Sequence, residues 1–153
     1  MKQPTSDARA VAMRMLAMRE HSASEMSRKL LQKGFFEDEV ANVLSDLITE
    51  DLLSNERFTE CFVNSRRTRG SGPVKIKKEL QQHKIESDLI GCYLDSRDPV
   101  WTQEAARVRQ KKFGPGLPEE FKDRVRQSQF LEYRGFSHEH IRVVMRDDDL
   151  VSI

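Results

Sequence analysis

Apolar positions along the chain recur in a fixed pattern. Leu30, Phe35, Val40 and Leu44 are spaced 5, 5 and 4 residues apart. Leu80, Ile85, Ile90 and Leu94 keep that spacing, and so do Leu131, Phe136, Ile141 and Met145. The copies are offset by 50 and 51 residues. A period of this length marks stacked supersecondary units, each too small to bury its apolar face alone. In the first and third copies a glycine, Gly34 or Gly135, precedes the middle hydrophobic residue, as the residue just past a helix end prefers. The second copy has Lys84 there, a residue with a side chain where the other two copies have none.

The segments around these positions follow a helical period. Ala8, Val11, Ala12, Met15 and Leu16 form one stripe behind Asp7, a candidate N-cap. Ser22 and Glu25 read as a capping box for a helix that ends at Gly34. Val40, Val43, Leu44, Leu47 and Ile48 line a third helix, with Glu37, Asp38 and Glu39 in its first turn. Ser54 or Asn55 opens a fourth helix with Phe58, Cys61, Phe62 and Ser65 on one face, a stripe that Arg69 extends with its stem packed. Pro73 opens a fifth, and Ser87 precedes a sixth that buries Leu89, Ile90, Tyr93 and Leu94. Trp101, Ala105, Ala106 and Val108 mark a seventh, with the tryptophan as an anchor between units. The eighth runs from Pro118 towards Arg134 with Phe121, Val125 and Leu131, and the ninth follows Ser137. No segment alternates as a strand would. The fold expected is all-α: about nine short helices in three tandem triplets, 7–54, 55–98 and 99–148. The molecule is expected to be elongated and curved, since 37% hydrophobic against 33% charged residues is polar for a compact globule.

The net charge of +1 conceals an asymmetry. Residues 1–62 carry −3, residues 63–146 carry +7, and Asp147, Asp148 and Asp149 form an acidic tail expected to fray at a helix C-terminus. The basic middle holds two clusters. Arg66, Arg67, Arg69, Lys75, Lys77 and Lys78 lie in a stretch without an acid, and Arg107, Arg109, Lys111 and Lys112 precede the loop Gly114–Pro118. Between Arg69 and Lys75, Gly70, Gly72 and Pro73 form a turn into a helix. The N–H groups behind Pro73, from Val74 and Lys75 onward, would point outward with the positive end of the helix dipole, a candidate anion site.

Catalytic and cofactor chemistry is not visible. No P-loop or Gly-x-Gly-x-x-Gly motif occurs, His138 and His140 point to different sides of a helix, and no nucleophile motif surrounds a serine. Neither a metal nor another cofactor is therefore expected. Cys61 and Cys92 lack metal-ligand spacing and read as small buried hydrophobes in a reducing cytosol. No apolar run nears the roughly 20 residues that span a bilayer, and no signal-peptide segment opens the chain. Such a chain is expected to bind a partner rather than transform a substrate.

Several strings together resemble the RecX family. These are Met15-Leu-Ala-Met-Arg-Glu-His-Ser22 with Glu25-Met-Ser-Arg-Lys-Leu30, and Glu56-Arg-Phe58 with Phe62-Val-Asn-Ser-Arg66. Arg69-Gly-Ser-Gly-Pro73 with Ile76-Lys-Lys-Glu-Leu80, and Phe130-Leu-Glu-Tyr-Arg-Gly-Phe136, complete the set. The likeness covers residues 7–146, with Met26 and His83-Lys84 as departures. It implies tandem three-helix units and a monomeric bacterial regulator in the cytoplasm, tied to recombination, repair and the SOS response. It further implies binding to RecA filaments on single-stranded DNA, limiting their growth and RecA's strand exchange, ATP hydrolysis and coprotease activity, with contact to single- or double-stranded DNA. The ten basic residues above are then the expected surface for RecA or DNA. The alternative is a helix-turn-helix regulator acting directly on duplex DNA, which the glycine-containing turns permit but which needs base-reading side chains grouped on one helix.

Overall fold

A computed structural model describes residues 7–151, with side chains to Arg146, so the side chains of the acidic tail, Asp147 to Asp149, lie outside the described residues. Those residues form nine α-helices and no strand. They are α1 (Ala8–Met18), α2 (Ala23–Gln32), α3 (Glu37–Thr49), α4 (Asn55–Thr68) and α5 (Pro73–Gln82), then α6 (Ser87–Tyr93), α7 (Val100–Phe113), α8 (Phe121–Tyr133) and α9 (His138–Val151).

The 5-5-4 spacing has a local cause at each corner between helices. After α2, the Gly34 N–H donates to the carbonyl of Leu31 and the Phe35 N–H reaches back to Leu30 at 3.3 Å, the paired bonds of a Schellman turn. That turn sets the last-turn leucine and the residue after the glycine five apart and on the same side. Phe35 then precedes the N-cap residue Phe36 of α3, and Val40 is the fourth residue of the helix, the staple spacing. Leu80–Ile85–Ile90 and Leu131–Phe136–Ile141 repeat both bonds, through Lys84 and Gly135. The final step of four is one helical turn. Eleven of the twelve repeat positions are buried; Leu44 is half-buried and packs against the core. Lys84 holds φ +61°, so the second copy makes the same left-handed turn with a side chain in place.

Two compact units result, one comprising the chain up to Phe62 with Leu80–Ile90, the other Val63–Glu79 with the chain from Gly91 onward. The first unit has a core of Ala8, Val11, Ala12, Met26, Leu30, Phe35, Val40, Leu47 and Leu53. Asp7 caps α1 by accepting from the Ala10 N–H, and Ser54 Oγ accepts from the Arg57 N–H at the start of α4. Ser22 caps α2 through the Glu25 N–H at 3.0 Å. The Glu25 carboxylate does not reach back to complete a capping box; it is held by Arg19 at 2.6 Å and Lys29 at 3.3 Å. Burial alone would raise its pKa, but the Arg19 hydrogen bond and the two cations outweigh burial and hold it at about 2. In the second unit Val63, Ile76, Leu94, Trp101, Ala105, Val108, Leu131, Phe136, Ile141, Val144 and Met145 are buried. The Trp101 indole N–H donates to the Asp95 carbonyl at 3.0 Å.

Three stripes differ from the sequence expectation. Cys61 is exposed because the inward face of α4 follows Phe58, Thr59 and Val63 rather than Cys61 and Ser65, and Cys92 is exposed on α6, while Ile90 and Leu94 face inward. Phe121 is 81% exposed and Val125 lies at the surface, while Gln127 and Leu131 turn inward on α8. Ile48 is also exposed, one position past the buried Leu47.

Candidate functional site

The two basic clusters meet in the second unit. Arg69 and Gly70 follow the end of α4, where Gly70, at φ +92°, closes another Schellman turn: its N–H donates to Arg67 and that of Ser71 to Arg66. On α7, Arg107 and Lys111 lie one turn apart, as do Val108 and Lys112. On the last turns of α8, Phe130 and Arg134 share the same i, i+4 relation. These residues, with Thr68, line a cleft of about 290 Å³. Five of its nine lining residues are cationic and none is a carboxylate.

Three of the cations, Arg134, Arg107 and Lys112, are held in place by neighbours. Arg134 donates through Nη2 to the Arg69 carbonyl at 3.0 Å, and its guanidinium carbon lies 5.7 Å from the Phe130 ring centroid. Its Nε is buried without a hydrogen-bond partner. A side chain at Gly70 would place Cβ 2.6 Å from Arg134 Nη2, so the glycine makes room for the guanidinium. Arg107 pairs with Glu104 at 2.7 Å and also donates to the Arg67 carbonyl at 3.2 Å. The Lys112 ammonium stands 5.9 Å from the centre of Phe130, whose edge meets Phe113. Lys111 and Lys112 occupy the last turn of α7, where the helix dipole favours positive charge. Glu104 offsets the charge of Arg107, and with no acid in the lining itself the remaining cations leave the cleft attractive to oxyanions.

Of the ten basic residues expected at a binding surface, the cleft gathers Arg69, Arg107, Lys111 and Lys112. Lys77 and Lys78 are exposed outside it, Arg67 and Lys75 are half-buried, and the Lys75 ammonium stands 5.7 Å from the Tyr133 ring centre. Arg66 is paired with Glu79 at 3.0 Å. Arg109 does not belong to the surface at all. It is 2% exposed, and its guanidinium donates to the Pro115 and Gly116 carbonyls and to Gln127 Oε1, tying the loop after α7 to α8. It lies four residues after Ala105 on the buried stripe, opposite Arg107.

The anion site expected at the start of α5 is likewise closed. Gly70, Ser71, Gly72 and Pro73 are buried, and the Val74 N–H, first of the donors expected for an anion, serves the protein. Gly72 donates to the Arg134 carbonyl at 2.8 Å and Val74 to the Gly135 carbonyl at 2.9 Å. Gly72 and Gly135 let the two backbones touch: a Cβ at Gly72 would lie 2.4 Å from the Gly135 carbonyl carbon. The turn is thus a structural clasp that brings Arg134, absent from the sequence-based set, beside Arg69. The spacing of Phe130 and Arg134, one turn apart before a glycine, was the available signal for it.

Among the described residues no group of three or more His, Cys, Asp or Glu side chains is placed to hold a metal, and no helix is long and apolar enough to cross a membrane.

Comparison with known proteins agrees with this architecture. Three family models, described as the first, second and third three-helix domains of RecX, match residues 8–47, 54–94 and 102–145. Regulatory protein RecX of Halorhodospira halophila is 40% identical over 134 residues, 88% of this chain and 83% of the relative. Regulatory protein RecX of Pseudomonas entomophila is 37% identical over 142 residues, 93% and 92% of the two chains. The crystal structure of RecX from Lactobacillus salivarius shares the fold, with a TM-score of 0.76 at 18% identity over 94% of this chain and 95% of that one.

Proposed function

The chain belongs to the RecX family, and from that premise we propose that it regulates RecA by binding RecA filaments on single-stranded DNA and limiting their growth. The observation that carries the reading is a carboxylate-free cleft with five cations, in a chain of a family whose relatives are named regulatory proteins. A protein filament on single-stranded DNA offers phosphates over a long path, which suits many modest cationic contacts better than a pocket. Arg66, Arg67, Arg69, Lys75, Lys77 and Lys78, with Arg107, Lys111 and Lys112, supply those contacts. The protein acts by binding rather than catalysis, as a monomer in the bacterial cytoplasm, with 7–54, 55–98 and 99–148 as its repeating units.

The test is RecA ATP hydrolysis on single-stranded DNA, with this protein titrated at substoichiometric amounts. Loss of hydrolysis well below one copy per RecA is expected if filament ends are capped, and loss near one copy per several RecA subunits if the groove is filled. Replacing Lys75, Lys77 and Lys78 by glutamate is expected to weaken inhibition with helicity unchanged. No inhibition by the unaltered protein at any ratio refutes the RecA reading. Sequence-specific binding of duplex DNA by the protein alone would point instead to direct transcriptional regulation.

A further inference from the structure

We infer that the cleft between α7 and the end of α8 is a seat for a single nucleotide, with its phosphate among Arg107, Lys111, Lys112 and Arg134 and its base against Phe130 and Val108. This deepens the reading above by giving one part of the basic surface a ligand of its own, and it rests on that reading only for the source of the nucleotide.

Four observations lead there. The volume of about 290 Å³ is close to the lower end of small-ligand pockets, which run from roughly 300 Å³ upward, so the cleft takes one small ligand. The lining is one-sided in charge: no carboxylate belongs to it, and Glu104, which pairs with Arg107 at 2.7 Å from outside the lining, leaves Lys111, Lys112 and Arg134 without a carboxylate partner among the ion pairs described. The wall is not uniformly polar, because Val108 and the half-buried Phe130 give it an apolar side, and an aromatic beside a cationic groove is the arrangement on which bases stack. Finally, Arg134 is oriented in advance. Its anchor to the Arg69 carbonyl and its place over Phe130 fix the guanidinium plane, so little rotamer freedom is lost on binding. A surface meant only for acidic protein side chains would not require the apolar wall, and a bare anion site would not require Phe130.

A nucleotide can come from a strand or from solution, and the experiment separates the two. Binding of a fluorescein-labelled oligothymidine to the full chain, without RecA, is followed by anisotropy, with ATP and with inorganic pyrophosphate as competitors. The oligonucleotide is expected to bind, and ATP to displace it more effectively than pyrophosphate. Lys111→Glu with Lys112→Glu, both exposed, should weaken oligonucleotide binding by on the order of tenfold or more and flatten its salt dependence by about 0.7 for each phosphate no longer neutralised. Phe130→Leu should weaken oligonucleotide and ATP binding by roughly fivefold or more while leaving pyrophosphate binding unchanged. A tighter oligonucleotide than ATP assigns the seat to a strand, and the reverse assigns it to a free nucleotide; both support the seat. Unchanged oligonucleotide and ATP affinities in the double variant overturn it. Equal competition by pyrophosphate and ATP, with Phe130→Leu indistinguishable from the unaltered protein, also overturns it, leaving an anion patch. Because RecA is absent, failure of the seat and failure of RecA regulation appear in different assays.

Discussion

Replacing Gly72 by alanine should destabilise the second unit strongly, although it adds a single methyl group. The new Cβ would lie 2.4 Å from the Gly135 carbonyl carbon, 2.5 Å from its oxygen and 2.5 Å from the Phe136 nitrogen. Ordinary contacts lie at 3.4–4 Å, and every atom met is backbone, so the two turns must part by about 1 Å rather than a side chain swing away. That separation breaks the bonds from Gly72 N–H to the Arg134 carbonyl and from Val74 N–H to the Gly135 carbonyl, now at 2.8 and 2.9 Å. Overpacking costs about 1–3 kcal/mol, and two buried backbone bonds add about 1 kcal/mol each. A loss of about 3–5 kcal/mol is a large share of a typical total of about 5–15 kcal/mol. Gly91 is the internal control: a Cβ there meets nothing within 4 Å, on an exposed face of α6, so Gly91→Ala should stabilise by up to about 1 kcal/mol. Urea unfolding followed by far-UV circular dichroism gives both values. If Gly72→Ala falls within about 0.5 kcal/mol of the unaltered protein, the two turns do not meet backbone to backbone and the clasp is refuted.

Three further outcomes are expected. Lys84→Gly should raise the urea midpoint, with a gain of about 1 kcal/mol, because glycine relieves the φ +61° of a residue whose own side chain is exposed; a lower midpoint would contradict this. The Glu25 carboxyl, held at about 2 against an ordinary 4.5, contributes stability that is complete above pH 4.5 and drains away as pH falls towards 2. Glu25→Gln should cost about 2 kcal/mol at pH 7, discounted because Arg19 is half-exposed, and should lose its effect near pH 2 in acid titration followed by circular dichroism. Arg109→Met should remove the bonds to Pro115, Gly116 and Gln127 while filling much of the same space, and the freed loop Gly114–Pro118 should become open to limited proteolysis before the helices unfold; unchanged cleavage would refute its bracing role.

The helices were legible from sequence because their information is local. Leu30, Phe35 and Val40 report a Schellman pair and a staple, and both devices act within ten residues. The capping roles of Asp7 and Ser22 were legible for the same reason. What failed depended on which face meets a distant element. Cys61 and Phe121 fit an apolar stripe on paper, but tertiary packing chose a face rotated from that stripe, through Thr59 and Val63 in one case and Gln127 and Leu131 in the other. The site shows the same division. The exposed lysines were readable as a charged surface, whereas the burial of Arg109 depends on the carbonyls of a loop and on Gln127, eighteen residues away. Arg134 joins Arg69 only because two glycines, sixty-three positions apart in sequence, allow the backbones to meet.

The Schellman-and-staple corner bears on how such chains diverge. Each bend draws its direction from a handful of neighbouring residues, so most outward positions are under no obligation to the path of the backbone. A relative can share the fold at a TM-score of 0.76 while only 18% of aligned residues coincide. Freed from architectural duty, the solvent-facing side chains can be rewritten with no need to redesign the scaffold beneath them.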